Sequence, residues 1–141
     1  MKEKELIRLA EQARANAYAP YSGFSVGAAL LCADGTVETG CNVENASYSV
    51  TCCAERAALF AAVRAGKRQF AAIAVMGGRS GAAGDRFCPP CGVCRQALAE
   101  FCAGDFPVLL SDGKTVRRMT LGALLPESFT ADAMESGEGA P

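Results

Sequence analysis

Apolar residues recur along this chain at several spacings, and the spacings divide it into elements. Leu6, Leu9, Ala10, Ala13 and Ala17 follow one another at helical intervals. They predict a first helix over residues 3–18, broken by Ala19-Pro20-Tyr21-Ser22-Gly23. Phe24, Val26, Ala28 and Leu30 alternate as on a strand, and Asp34-Gly35 predicts a hairpin into a second strand at about 36–42. A polar loop over 43–51 leads to an alanine-rich stretch, 53–65, that holds no helix breaker and stops at Gly66; it predicts a second helix. The uninterrupted apolar run Phe70-Ala71-Ala72-Ile73-Ala74-Val75-Met76 predicts a central strand covered on both faces. Gly77, Gly78, Gly81 and Gly84 then read as a flexible surface loop. Beyond it the pattern predicts a third helix at 92–103, a buried strand at 106–110, an edge strand at 115–119 and a short apolar helix at 121–125.

Helices that alternate with a hairpin and two buried runs predict an α/β fold: a mixed sheet of about five strands with helices on both faces. One domain is expected over residues 1–129. The remaining residues, 130–141, are small and polar enough to predict a disordered tail.

Composition narrows the function more than the fold. The chain has 141 residues, half of them hydrophobic, which is enough for one real core. Its 14 basic and 15 acidic residues nearly cancel, and no basic cluster exceeds a pair such as Arg117-Arg118, so nucleic acid is not an expected partner. No stretch approaches the roughly 20 apolar residues of a membrane span. The start, Met1-Lys2-Glu3-Lys4-Glu5, lacks the apolar centre of an export signal. A cytoplasmic location with eight reduced cysteines is therefore expected, rather than a disulfide framework.

There is no histidine, which removes serine–histidine, cysteine–histidine and His-Glu-x-x-His chemistries. What remains is Cys53-Ala54-Glu55 and, further along, Pro90-Cys91-Gly92-Val93-Cys94. Three thiolates, from Cys53, Cys91 and Cys94, can hold one zinc ion and leave its fourth tetrahedral corner for water, the arrangement of a catalytic centre rather than a structural one. Glu55, two residues from the first ligand, can then handle the water's protons. Both cysteine groups fall at expected helix starts, where the helix dipole favours thiolates, and Pro90 fits just ahead of such a start. Three thiolates overbalance a dication, and Arg56 is expected to donate hydrogen bonds to them and offset the excess charge. A closed four-cysteine site that includes Cys52 is the structural alternative, although adjacent side chains diverge; a register shifted to Cys88 is another. Cys32, Cys41 and Cys102 lie in apolar patterns and read as core residues.

The same residues, together with Tyr18–Leu30, Gly40–Ser49, Cys53-Ala54-Glu55-Arg56, Pro90–Gln96 and Leu124-Leu125-Pro126, resemble the cytidine deaminase family, in its small, homotetrameric, three-cysteine branch. The resemblance runs from about residue 5 to 129. It implies a three-layer α/β/α fold, one zinc ion per subunit and hydrolytic deamination of cytidine and deoxycytidine in pyrimidine salvage. It also implies roles: Glu55 as proton shuttle, Phe24 as the ring against the pyrimidine, Asn42 and Glu44 at the ribose 3′-hydroxyl, and the backbone around Ala54 at the base edge. Ala46 and Tyr48 resemble residues lent to a neighbouring subunit's site, and Phe129 an aromatic residue that closes the pocket. A deaminase of a modified or antibiotic nucleoside such as blasticidin S is the alternative on the same fold. The long glycine-rich segment and the extra Cys88 depart from the family's pattern.

Overall fold

The computed structural model describes residues 1–134. Helix α1 is Glu3–Ala13, followed by strands β1, Phe24–Cys32, and β2, Val37–Cys41. Helix α2, Ala54–Arg64, leads to strand β3, Phe70–Arg79, and helix α3, Gly92–Ala99, leads to strand β4, Pro107–Ser111. Strand β5, Val116–Thr120, and two short helices, α4 at Leu121–Leu124 and α5 at Ala131–Met134, complete the order.

The five strands form one sheet in the order β2-β1-β3-β4-β5. Only β3 and β4 are parallel; the other pairs are antiparallel. This is the mixed sheet that the pattern predicts, with the Phe70 run at its centre. Two apolar layers sandwich it. On one face Leu6 and Ala10 of α1 meet Ala29, Ala74, Met76 and Leu109. On the other, α2 and α3 bury Ala58, Leu59, Ala62 and Leu98 against Ala28, Leu30, Ile73, Val75 and Leu110. Truncating any of the fully buried Leu30, Ile73 or Leu110 to alanine removes about 2–5 kcal/mol of stability.

Two glycines set how closely the helices approach. A Cβ at Gly27 would lie 2.0 Å from the Ala10 carbonyl oxygen of α1, and one at Gly40 would lie 2.5 Å from the Ala54 carbonyl oxygen of α2. The alanine-rich face of α2 therefore rests almost on the backbone of β2.

Several boundaries differ from the sequence pattern, each for a tertiary reason. The first helix stops at Ala13, and one 3-10 turn, Arg14–Asn16, follows. The next residues are drawn away to pair with the chain beyond β2: Tyr18 N–H donates to the Asn42 carbonyl (2.9 Å), and the Tyr18 carbonyl accepts from Glu44 N–H (2.8 Å). Of the glycine-rich segment, only residues 79–83, with Gly81, form an exposed turn. Gly77 and Gly78 belong to β3 and are buried, and Gly84 is buried as well. Arg14, itself 5% exposed, organises this segment. Its guanidinium donates to the carbonyls of Ser25 (2.8 Å), Ala82 (3.1 Å) and Arg79 (3.2 Å) and pairs with Glu11, whose carboxylate accepts from Gly84 N–H at 3.0 Å. The third helix ends early, at Ala99. Of the expected tail, Ala131–Met134 forms one helical turn with no buried residue, and residues 135–141 lie outside the described residues.

Candidate active site

Topology gathers the candidate residues at one end of the sheet. Helix α3 crosses between the parallel strands β3 and β4, and α2 leads into β3, so both helices begin at the carboxyl ends of those strands. Phe24, the first residue of β1, pairs with Arg79, the last of β3, and arrives at the same end. So does Asn42, just past β2, because Cys41 pairs with Gly27.

Cys53 and Cys91 are the N-cap residues of α2 and α3, with extended backbones, and Cys94 lies in the first turn of α3, fully buried. Their Sγ atoms all lie within 4.8 Å of one another, and Cys53 Sγ to Cys91 Sγ is 3.8 Å. A tetrahedral zinc ion with Zn–S bonds of about 2.3 Å has S···S edges of about 3.8 Å, so the three sulfurs fit that ion with little adjustment. Cys52 and Cys88 stand outside the group, which answers both alternative ligand sets among the described residues. Cys52 Sγ instead contacts the Cys53 carbonyl at 3.6 Å. Burial pushes the Cys88 thiol up to about 12.

The electrostatics of the group favour a cation. The Cys53 thiol is pushed down to about 5, first by a hydrogen bond from Cys94 and further by Arg56 and Cys91, against the effect of burial. Cys94 moves up, because it shares its proton with Cys53 and is buried. A divalent ion held by these residues would take the place of the shared protons. Arg56 Nη2 donates to Cys53 Sγ at 3.6 Å and to the Thr51 carbonyl at 3.2 Å, as the charge argument predicts. Its Nε is buried without a partner, one donor still directed into the site's wall. Glu55, in the first turn of α2, is only 3% exposed. Burial, then the negative charge of Cys53, pushes its carboxyl up to about 7.

Sequence and structure together decide the family. The chain matches the family described as cytidine and deoxycytidylate deaminase zinc-binding region over residues 1–110. The chain belongs to the cytidine and deoxycytidylate deaminase family. It is 50% identical over 135 residues to cytidine deaminase of Halalkalibacterium halodurans, a match spanning 95% of this chain and 98% of that protein. Cytidine deaminase of Sporosarcina psychrophila is 47% identical over 133 residues, 94% of each chain. The crystal structure of cytidine deaminase from Burkholderia pseudomallei superimposes with a TM-score of 0.83 at 48% identity and covers 92% of this chain and 100% of that one. Blasticidin-S deaminase of Bacillus cereus is more distant, at 30% over 108 residues, 74% of this chain. The matched region of this deaminase family is its zinc-binding region and contains Cys53, Cys91 and Cys94, so zinc is the cofactor that their geometry serves.

The expected nucleoside-side residues of the deaminase fall into two groups. Phe24 packs its ring over Gly77 and beside Cys88: a Cβ at Gly77 would lie 2.8 Å from Phe24 Cζ and 2.9 Å from Cys88 Cβ. The departures from the family pattern are thus the floor beneath this ring. Asn42 is buried and braces the same residue, its Nδ2 donating to the Phe24 carbonyl (2.9 Å) and its Oδ1 accepting from Val26 N–H (2.9 Å). One N–H and one lone pair of that amide are left for a ligand. Ala54 is fully buried at the start of α2. Glu44 is half-buried, accepting from Tyr21 N–H (2.9 Å), Ser22 N–H (3.1 Å) and the Ser22 hydroxyl. With Tyr21, Ser22, Tyr48 and Thr51 it lines an open cavity, where the Tyr21 and Tyr48 rings meet edge-on at 5.8 Å. Ala46 and Tyr48 are exposed, Tyr48 at 74%.

Sequence reasoning left Arg95 and Gln96 without a role. Arg95 Nε donates to the Pro90 carbonyl (2.6 Å) and its Nη1 to the Leu124 carbonyl (2.7 Å), while Gln96 Nε2 donates to the Phe129 carbonyl (2.7 Å). They bind the C-terminal segment to the loop that carries Cys91. A charged residue directly after the last ligand is the available signal, but its partners are backbone atoms, which no side-chain pattern reveals. Phe129 keeps its ring exposed. No helix among the described residues is long and apolar enough to cross a membrane.

Proposed function

We propose that this chain is a zinc-dependent hydrolase that converts cytidine and deoxycytidine to uridine and deoxyuridine with release of ammonia, in pyrimidine salvage in the cytoplasm. The observation that carries the reading is a three-sulfur group with the spacing of a tetrahedral zinc edge, with the buried carboxyl of Glu55 in the adjoining helical turn.

Cys53, Cys91 and Cys94 would hold the metal, which when bound supplies Lewis-acid activation of water. Replacing the exocyclic amine at C4 by oxygen requires a proton to leave the attacking water and protons to reach ring N3 and the departing nitrogen. Glu55 holds and passes that proton; a carboxyl lifted to about 7 is populated in both forms near neutrality, which suits a group that must both accept and donate. Arg56 offsets the excess negative charge of the thiolates through its bond to Cys53. Phe24 packs against the pyrimidine, and the backbone at Ala54 meets the base edge. Asn42 and Glu44 bind the ribose 3′-hydroxyl. A carboxylate there accepts from a hydroxyl and repels a 3′-phosphate, so the substrate is a free nucleoside rather than a polynucleotide.

We infer a homotetramer, in which Ala46 and Tyr48 complete a neighbour's site and Phe129 closes a pocket. The exposed Tyr21, Tyr48 and Val50 around the open cavity support it, since large apolar side chains clustered at a site are a common mark of an interface.

The test is incubation of purified protein with cytidine, with and without a zinc chelator, following uridine and ammonia. Turnover that stops on chelation and returns with Zn²⁺ is expected. Zinc-loaded protein that leaves both cytidine and deoxycytidine intact would falsify the reading, and turnover of blasticidin S in the same panel would move the substrate to the alternative.

A further inference from the structure

We propose that Ser22 is a positioning residue that links recognition of the sugar to packing of the base. The proposal rests on the cytidine reading above and adds a residue to which that reading gives no task.

The hydroxyl of Ser22 makes two short bonds in opposite senses and a longer contact to the Phe24 carbonyl at 3.5 Å. It donates to Glu44 Oε2 and accepts from Phe24 N–H at 3.0 Å. Ser22 N–H and Tyr21 N–H hold the other carboxylate oxygen, at 3.1 and 2.9 Å. A hydroxyl has one proton and two lone pairs, so donation to the carboxylate orients its lone pairs toward the Phe24 amide. The Ser22 bond is also the leading reason that the Glu44 carboxyl lies below its ordinary range, which keeps the acceptor ionised. Phe24 and Glu44 therefore do not touch, yet they share one intermediary. At the other side of Phe24 its carbonyl is held by Asn42 and the next carbonyl, that of Ser25, by Arg14. The entry of β1 is thus clamped firmly after Phe24, whereas before it the Phe24 amide has only Ser22.

A sugar hydroxyl that engages Glu44 then acts on a carboxylate already tied to the base-packing ring. Loss of the Ser22 hydroxyl should loosen both ends while leaving the metal group and Glu55 as they are. The expected signature is an effect on KM rather than kcat.

The experiment uses full-length, zinc-loaded protein in four forms: wild type, Ser22→Ala, Ser22→Thr and Glu44→Ala. The expected result is that Ser22→Ala raises KM for cytidine about tenfold with kcat within about twofold, as for loss of a hydrogen bond to a charged group. Ser22→Thr, which keeps the hydroxyl on an exposed site, should return KM to within about threefold of wild type. In parallel, amide hydrogen exchange at Phe24 is measured without ligand. Faster exchange there in both Ser22→Ala and Glu44→Ala is expected, because the first removes the acceptor of the Phe24 amide and the second frees the hydroxyl that accepts it. An unchanged KM in Ser22→Ala, or wild-type exchange at Phe24 in Glu44→Ala, overturns the link. Should the wild type fail to turn over cytidine, the substrate reading fails, and the exchange measurement still judges the coupling between Glu44 and Phe24.

Discussion

The two halves of this site are built differently. The metal half is regular: two N-caps and two first-turn residues of helices, running from the exposed Cys91 and half-buried Cys53 inward to Cys94 at 0% and Glu55 at 3% exposure, all within one chain. The nucleoside half is irregular and open. Its expected residues lie on the segments 18–24 and 42–51, joined by isolated bridges such as Tyr18 to Val43, with Glu44 half-buried and Tyr48 exposed to solvent. The difference shows where rigidity is placed. Chemistry demands fixed ligand geometry, which helix starts provide; admission of a substrate demands a surface, held in shape by backbone hydrogen bonds rather than by a core.

That contrast makes measurable claims. The largest effect is expected at Glu55. Glu55→Ala should lower kcat by at least about a thousandfold, in the upper part of the range for a general acid–base group, while metal analysis still finds one zinc per chain; more than a tenth of wild-type activity would remove the proton shuttle. Next comes the charge offset. Arg56→Ala should weaken zinc retention by about 10–100-fold, the usual effect of removing a partner of a metal ligand, read by competition with a chromogenic chelator; wild-type retention and activity together would remove that role. Asn42 and Glu44 should then separate. Asn42→Ala strips the Val26 N–H and the Phe24 carbonyl of their partners and should cost about 2–3 kcal/mol in denaturant unfolding as well as raising KM. Glu44→Ala should raise KM with an unfolding midpoint close to wild type. Equal destabilisation by the two would erase the distinction between a buried brace and a half-buried contact. The smallest effect should be at Tyr48: Tyr48→Ala should leave the metal content unchanged and shift the molecule toward smaller assemblies in sedimentation. A wild type already monomeric would break the idea that the open half is completed by a neighbour.

How legible all this is in the sequence follows the same division. The sheet, its central strand and the helix starts were readable, because Phe70–Met76 and the alanine-rich stretch are governed by local pattern. Cys53, Cys91, Cys94 and Arg56 were readable because sulfur ligand chemistry constrains spacing. What was not readable depended on distant backbone. The end of α1 is set by Tyr18 pairing with residues 42–44, and the glycines at 78 and 84 are packed against Arg14 and Glu11 rather than left loose. The placement of Asn42 was open to sequence, but its work as a brace was not, since both of its partners are main-chain atoms.

The Arg14–Glu11 pair carries a practical consequence for anyone who shortens or fuses this polypeptide at its beginning. Helix α1 lies across the sheet from the sulfur cluster, yet it anchors the peptide that delivers two of the three sulfurs. Trimming back to Tyr18 would discard that anchor along with the first helix, so a shortened version should be judged by whether it keeps its metal, not merely by whether it is expressed.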